Sequence, residues 1–222
     1  MSTSDLPDLY SMDAALFDLD GTLVDSERVH RAAWRSFFDT RGWAVSEQTY
    51  VEHFLGRRGA DTFRSLAGPW QDHDPDALLG EVLTHLAEVE LEPEPVRGAA
   101  ELIRAVHAKK IPVAVVTSAV RAWVGPSLKV LGVSDLVAAV VSAEDVTAGK
   151  PEPEGYLLAC SRLGVDPDRV VAFEDSTSGV TAAVAAGISA VIGVLTTTPA
   201  DALRAAGAAH LIQDLRSFAS HR

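Results

Sequence analysis

Cysteine is nearly missing from this chain. Cys160 stands alone, which excludes an intramolecular disulfide and any Cys-based zinc site and fits a reducing cytoplasm, the expected compartment. Positive charge is scarce as well. Only 19 Lys and Arg face 31 Asp and Glu, a formal net charge of −12, so nucleic acid and anionic membrane surfaces, both gripped through basic patches, are not expected partners. No apolar run approaches the ~18 residues of a membrane span. The opening MSTSDLPDLYSMD has neither the basic flank nor the apolar stretch of a secretory leader. Common catalytic signatures are absent too. AGKPEP lacks the earlier glycine and the following Ser or Thr of a P-loop, DLDGTL lacks the ligand spacing of a calcium loop, and neither Gly-x-Ser-x-Gly nor His-Glu-x-x-His occurs. No internal repeat or low-complexity tract interrupts the chain.

What is present is apolar sequence in short blocks. With 222 residues and 47% hydrophobic content, the chain can build one domain with a sizeable insertion, or two small ones. From Pro112 onward the runs PVAVVT (112–117), DLVAAVV (135–141), RVVAFED (169–175) and SAVIGVL (189–195) read as strands buried on both faces. Helical patterns lie between and after them, near 122–131, 155–163, 177–186 and 199–206. This alternation predicts an α/β fold with a doubly wound, Rossmann-like parallel sheet.

Between the first strand, near 14–17, and the next at Pro112, the gap is about three times a plain βαβ unit. ERVHRAAWRSFFDTRG and DALLGEVLTHLAEVEL carry helical periodicity there. The expectation is a small all-helical cap over 27–92, inserted into a catalytic core made of 1–26 and 93–222. The chain leaves after LVDS and returns through LEPEPVRG, a proline-rich connector expected to act as a semi-rigid hinge.

In such sheets ligands bind beyond the C-terminal ends of the strands. The first run ends in Asp18 and Asp20, the next in Thr117 and Ser118, and a third in Glu174 and Asp175. Each alone reads equally well as a strand-ending turn, an N-cap or a solvated loop start. Together they place four carboxylates in one crevice, an unfavourable arrangement without a divalent cation, and oxygen-only ligands point to Mg²⁺. Lys150, just ahead of a helix starting near Pro153, is placed to reach the same crevice or to remain solvated.

Four separated pieces resemble the haloacid dehalogenase superfamily: DLDGT at 18–22, the hydroxyl of Thr117 in VVTSA, Lys150 in GKPEPE, and FEDSTSG at 173–179. The match spans nearly the whole chain. The resemblance implies that Asp18 is a nucleophile forming an aspartyl-phosphate and that Asp20 is the general acid and then the base. It also implies Mg²⁺ held by Asp18, the Asp20 backbone carbonyl and Asp175, with Glu174 nearby or direct. Thr117 and Ser118 would bind phosphate, with Lys150 offsetting the crowded negative charge.

The cap should choose the substrate. Arg57 and Arg58 in GRRGAD form a possible clamp for a sugar or a second phosphate, or simply two solvated arginines. His30 and Trp34, one turn apart, read either as an aromatic packing face with Phe37 and Phe38 or, by resemblance to the β-phosphoglucomutase branch, as cap residues near the substrate. That branch also implies a cap lysine, and this chain has no lysine between Asp18 and Lys109. The chain is more similar to the neighbouring sugar-phosphate and glycerol-phosphate phosphatases. The resulting expectation is a monomeric, Mg²⁺-dependent phosphatase of small phosphorylated sugars or polyols. A phosphosugar mutase and a non-catalytic phosphate-binding regulator are the alternatives.

Overall fold

Runs of Val, Ala and Phe without polar side chains are stable as strands only where both faces are covered, and here they form the middle of a sheet. The computed structural model describes residues 6–55 and 57–219. The strands are β1 (Ala14–Phe17), β2 (Val24–Asp25), β3 (Glu94–Pro95), β4 (Val113–Val116), β5 (Ala139–Val141), β6 (Val170–Glu174), β7 (Ala190–Val194) and β8 (His210–Ile212). Six of these run parallel in the order β5-β4-β1-β6-β7-β8. The α-helices are α1 (Glu27–Arg41), α2 (Glu47–His53), α3 (Gly59–Ser65), α4 (Pro75–Glu88), α5 (Ala99–Ala108), α6 (Arg121–Leu131), α7 (Glu154–Leu163), α8 (Thr177–Ala185), α9 (Ala200–Ala206) and α10 (Arg216–Ala219).

The two-residue strand period sorts the central strands into two cores. Ala15, Phe17, Val113, Val115, Val171 and Phe173 face α5 and α6, while Ala14, Leu16, Ala114, Val116, Val170 and Ala172 face α7, α8 and α9. Phe17 and Phe173 stack at 4.7 Å across the β1–β6 pair. Each such fully buried large side chain contributes about 1.5–3 kcal/mol, and this fixes the register that aligns the strand ends.

One strand expectation is corrected, and one strand was not anticipated. The stretch 135–141 is not a continuous buried strand: Ser134–Leu136 forms a 3-10 turn and only Ala139–Val141 pairs, at the sheet edge with β4 as its one partner and Ala139 and Val140 half-buried. The opposite edge, β8, is a three-residue strand too short for its alternation to register as a pattern.

The helical segment has a core of its own. Trp34, Phe37, Phe38, Tyr50, Phe54, Phe63 and Trp70 cluster with Leu78 and Val82 of α4. Glycine closes α1: Gly42 takes φ +67 in the left-handed region, and its N–H reaches the Asp39 carbonyl. Where LEPEPVRG was expected to be a hinge, β3 pairs antiparallel with β2, Val24 opposite Pro95 and Asp25 opposite Glu94. The Val96 N–H adds a bond to the Leu23 carbonyl at 3.0 Å. The outgoing and returning chains are therefore tied side by side. Residues 1–5 and 220–222 of the expected core, and Gly56 of the arginine turn, lie outside the described residues. Among the described residues no helix is long and apolar enough to cross a membrane.

Candidate active site

Three adjacent strands, β4, β1 and β6, deliver the polar residues. The Asp18 N–H bonds the Phe173 carbonyl at 3.0 Å, so the ladder continues one residue past β1 and carries the buried Asp18 side chain beside Glu174 and Asp175. One carboxylate oxygen from each of these three residues lies within 4.8 Å of the others. Gly21, at φ +86, turns the chain away. A Cβ there would stand 2.0 Å from Asp175 Oδ2, so the site needs a residue without one.

Lys150 reaches this cluster across 132 residues of sequence. Its Nζ donates to Asp18 Oδ1 at 2.6 Å, to Glu174 Oε1 at 2.5 Å and to the Val116 carbonyl at 3.0 Å. Burial lowers the affinity of Lys150 for its proton, but the two carboxylates outweigh burial and hold the ammonium charged. Tyr156 and Ser176 donate to Glu174, while Thr22 and Thr197 donate to Asp175. Asp18 Oδ2 is buried with no partner. Burial pushes the Asp18 carboxyl well above its ordinary range; Lys150 pulls it back, but Glu174 and Asp175 push the same way as burial. Asp175 is raised to about 7, by burial first and then by Glu174. Three buried carboxylates against one ammonium, with one oxygen unpartnered, suit a divalent cation bound by oxygen.

Asp20 has a different environment. Its Oδ1 accepts from Ser26 Oγ at 2.5 Å and Trp123 Nε1 at 2.8 Å, and lies 3.0 Å from His30 Nε2. Burial alone would raise the Asp20 pKa, but the charge and hydrogen bond of His30, aided by Ser26 and Trp123, bring it below the ordinary value. The Asp20 side chain takes no part in the three-carboxylate cluster. Asp18 and Asp20, two residues apart at one strand end, thus have separate sets of partners: Asp18 faces Lys150 and two carboxylates, and Asp20 faces Ser26, His30 and Trp123.

The remaining expected residues divide. Thr117 and Ser118 line the cleft above Asp18, together with Arg57, Arg58 and His30. Thr117 Oγ1 accepts from the Ala119 N–H at 3.0 Å, while α6 begins only at Arg121, so Thr117 is not its N-cap. Trp34 belongs to the aromatic cluster and also lines the cleft. Arg57 is exposed; Arg58 is half-buried, and its Nε is buried without a partner. Ser26, Trp123, Tyr156 and Thr197 were not expected at the site. The strand-end rule applied to β7 would have found Thr197. Trp123, 103 residues from Asp20 and inside a helix, leaves no signal in the sequence.

Comparison with known proteins places this geometry. A model of the haloacid dehalogenase-like hydrolases matches residues 12–187. Validoxylamine A 7'-phosphate phosphatase of Streptomyces hygroscopicus subsp. limoneus is 38% identical over 202 residues, covering 90% of this chain and 93% of the relative. Fructose-1-phosphate phosphatase YqaB of Escherichia coli K12 is 33% identical over 180 residues, covering 79% and 93%. The crystal structure of CbbY from Rhodobacter sphaeroides in complex with phosphate superposes with a TM-score of 0.75 at 27% identity, covering 92% and 95%. With its sheet, strand-end carboxylates and matched span all in agreement, this chain belongs to the haloacid dehalogenase-like hydrolases.

Proposed function

We propose that the protein is a Mg²⁺-dependent phosphatase of small phosphorylated sugars or polyols, working through an aspartyl-phosphate on Asp18. The observation that carries this reading is the contrast between two aspartates at one strand end, Asp18 beside Lys150 and two further carboxylates, Asp20 beneath three donors. The names of the two relatives above, both phosphatases of phosphorylated carbohydrate-like molecules, support the substrate class.

The residues fit the cation the family generally uses: Asp18, Glu174 and Asp175 would hold it, with the Asp20 carbonyl as a further oxygen. Bound there, Mg²⁺ supplies the positive charge that lets an anionic carboxylate approach an anionic phosphate. Asp18 attacks phosphorus, and the ester oxygen leaves. Lys150 keeps its ammonium against Asp18 and steadies the transferred oxygens, and Thr117 and Ser118 orient them. The proton for the leaving alcohol comes from the Asp20–His30 pair, and Asp20 then takes a proton from the water that cleaves the acyl phosphate. Segment 27–92 acts as the cap, with Arg57 and Arg58 gripping the non-reacting end of the substrate and excluding bulk water.

Phosphate release from a panel of hexose and polyol monophosphates, with and without Mg²⁺, tests this directly. The expected result is metal-dependent release, lost by at least about a hundredfold in Asp18→Asn. Glucose 6-phosphate forming from β-glucose 1-phosphate faster than free phosphate would instead establish a mutase.

A further inference from the structure

The exposed wall of the cleft above Asp18 is mainly apolar. Ser26, His30 and Trp123 Nε1 are all engaged by Asp20, and Glu27 by Arg31. On the cap side, polar contact for a bound alcohol comes from Arg57, Arg58 and the Tyr50 hydroxyl. The rest of that wall is apolar. Helix α4 buries Leu78 and Val82 in the cap core, and it also carries Leu79, Leu83 and Leu86, at i, i+4 and i+7, half-buried and lining the cleft. These three leucines are not members of the cap's buried cluster, to which Leu78 and Val82 belong. Their stripe continues into Trp34, because both Leu79 and Trp34 pack over Gly59, where a Cβ would stand 2.8 Å from the indole and 3.3 Å from the leucine. Trp123, on α6 of the core, lines the same cleft.

We infer that this cleft selects phosphorylated sugars or cyclitols bearing an apolar face, either a ring's C–H face or a hydrocarbon substituent, seated between the α4 leucines and Trp123. This specificity rests on the phosphatase reading of the same site. The cleft that holds Asp18 is lined by these walls, so a group esterified to a phosphate there meets them. An open-chain polyol there would turn hydroxyls toward leucine, and each buried hydroxyl left without a partner costs about 1–3 kcal/mol. A hydrocarbon face gains from the same contact.

The test uses the full chain with Mg²⁺ and three probes: acetyl phosphate, methyl glucoside 6-phosphate and phenyl glucoside 6-phosphate. The phenyl compound is expected to show a KM about tenfold lower than the methyl compound at similar kcat, the scale of a phenyl ring leaving water for an apolar wall. Leu83→Asn should shrink that ratio below about threefold, and Leu83→Met should preserve it. Should the Asn variant fail to fold, the wild-type ratio still decides. Equal KM values for the two glucosides, with phosphate released from both, overturn the inference and leave the phosphatase reading standing. No phosphate from any of the three, acetyl phosphate included, overturns the phosphatase reading itself.

Discussion

Ser26, His30 and Trp123 converge on one oxygen of Asp20, and the consequence for His30 is measurable. Burial pulls the imidazole's pKa down, but the charge and hydrogen bond of Asp20 outweigh it and raise the value above 6.5. A folded value above the unfolded one means that the pair's contribution to stability is complete below about pH 6.5 and is lost as pH rises through the folded value. NMR titration of the His30 ring should therefore give a pKa above 6.5 in the wild type and a lower one in Asp20→Asn, where burial is opposed only by Glu27. A wild-type value at or below 6.5 would remove the charged pair from the account. At this scale the sequence was most legible where spacing carries chemistry: Asp18 and Asp20 share one side of an extended segment, and Glu174 and Asp175 end another strand. It was silent on Trp123, because a helix facing the strand ends is brought there by packing alone. His30 and Trp34, alike in the sequence, part ways in the structure, one bonding Asp20 and the other joining the cap's aromatic cluster.

Elements hold the cluster by close approach as much as by hydrogen bonds. The first turn of α8, capped by Ser176 accepting from the Gly179 N–H at 3.0 Å, lies so near Glu174 that a Cβ on Gly179 would fall 1.8 Å from Oε1. Gly179→Ala must then displace Glu174 from Lys150 and Tyr156. We predict a loss of about 1–3 kcal/mol in urea denaturation, typical of overpacking, together with at least a tenfold fall in kcat. Gly80→Ala, exposed on α4 with open space around it, should instead gain up to about 1 kcal/mol. Equal effects at the two glycines would contradict the packing account. The interior strands were legible because burial on both faces demands unbroken apolar runs. The edges were not: β5 and β8 are three residues each, and the β2–β3 ribbon pairs two-residue segments whose register comes from tertiary closure.

The whole molecule assembles one site from distant parts. The donors to Asp20 come from the outgoing linker (Ser26), the helical insert (His30) and the core (Trp123), and Lys150 and Asp18 meet across the sheet's strand ends. The inserted segment was readable from a gap too long for one crossover, and its apolar cleft wall was not, since the α4 leucines look like ordinary core residues until their neighbours are known. The account's central claim is a covalent phosphoenzyme on Asp18 whose hydrolysis depends on Asp20. Its most direct test mixes the Asp20→Asn variant with Mg²⁺ and radiolabelled acetyl phosphate, quenches in acid within milliseconds and maps the label after proteolysis. The account predicts about one label per chain on the peptide carrying Asp18, none in Asp18→Asn, and only a small steady-state amount in the wild type. Label on another residue, or none anywhere while the wild type releases phosphate from the same substrate, would contradict it.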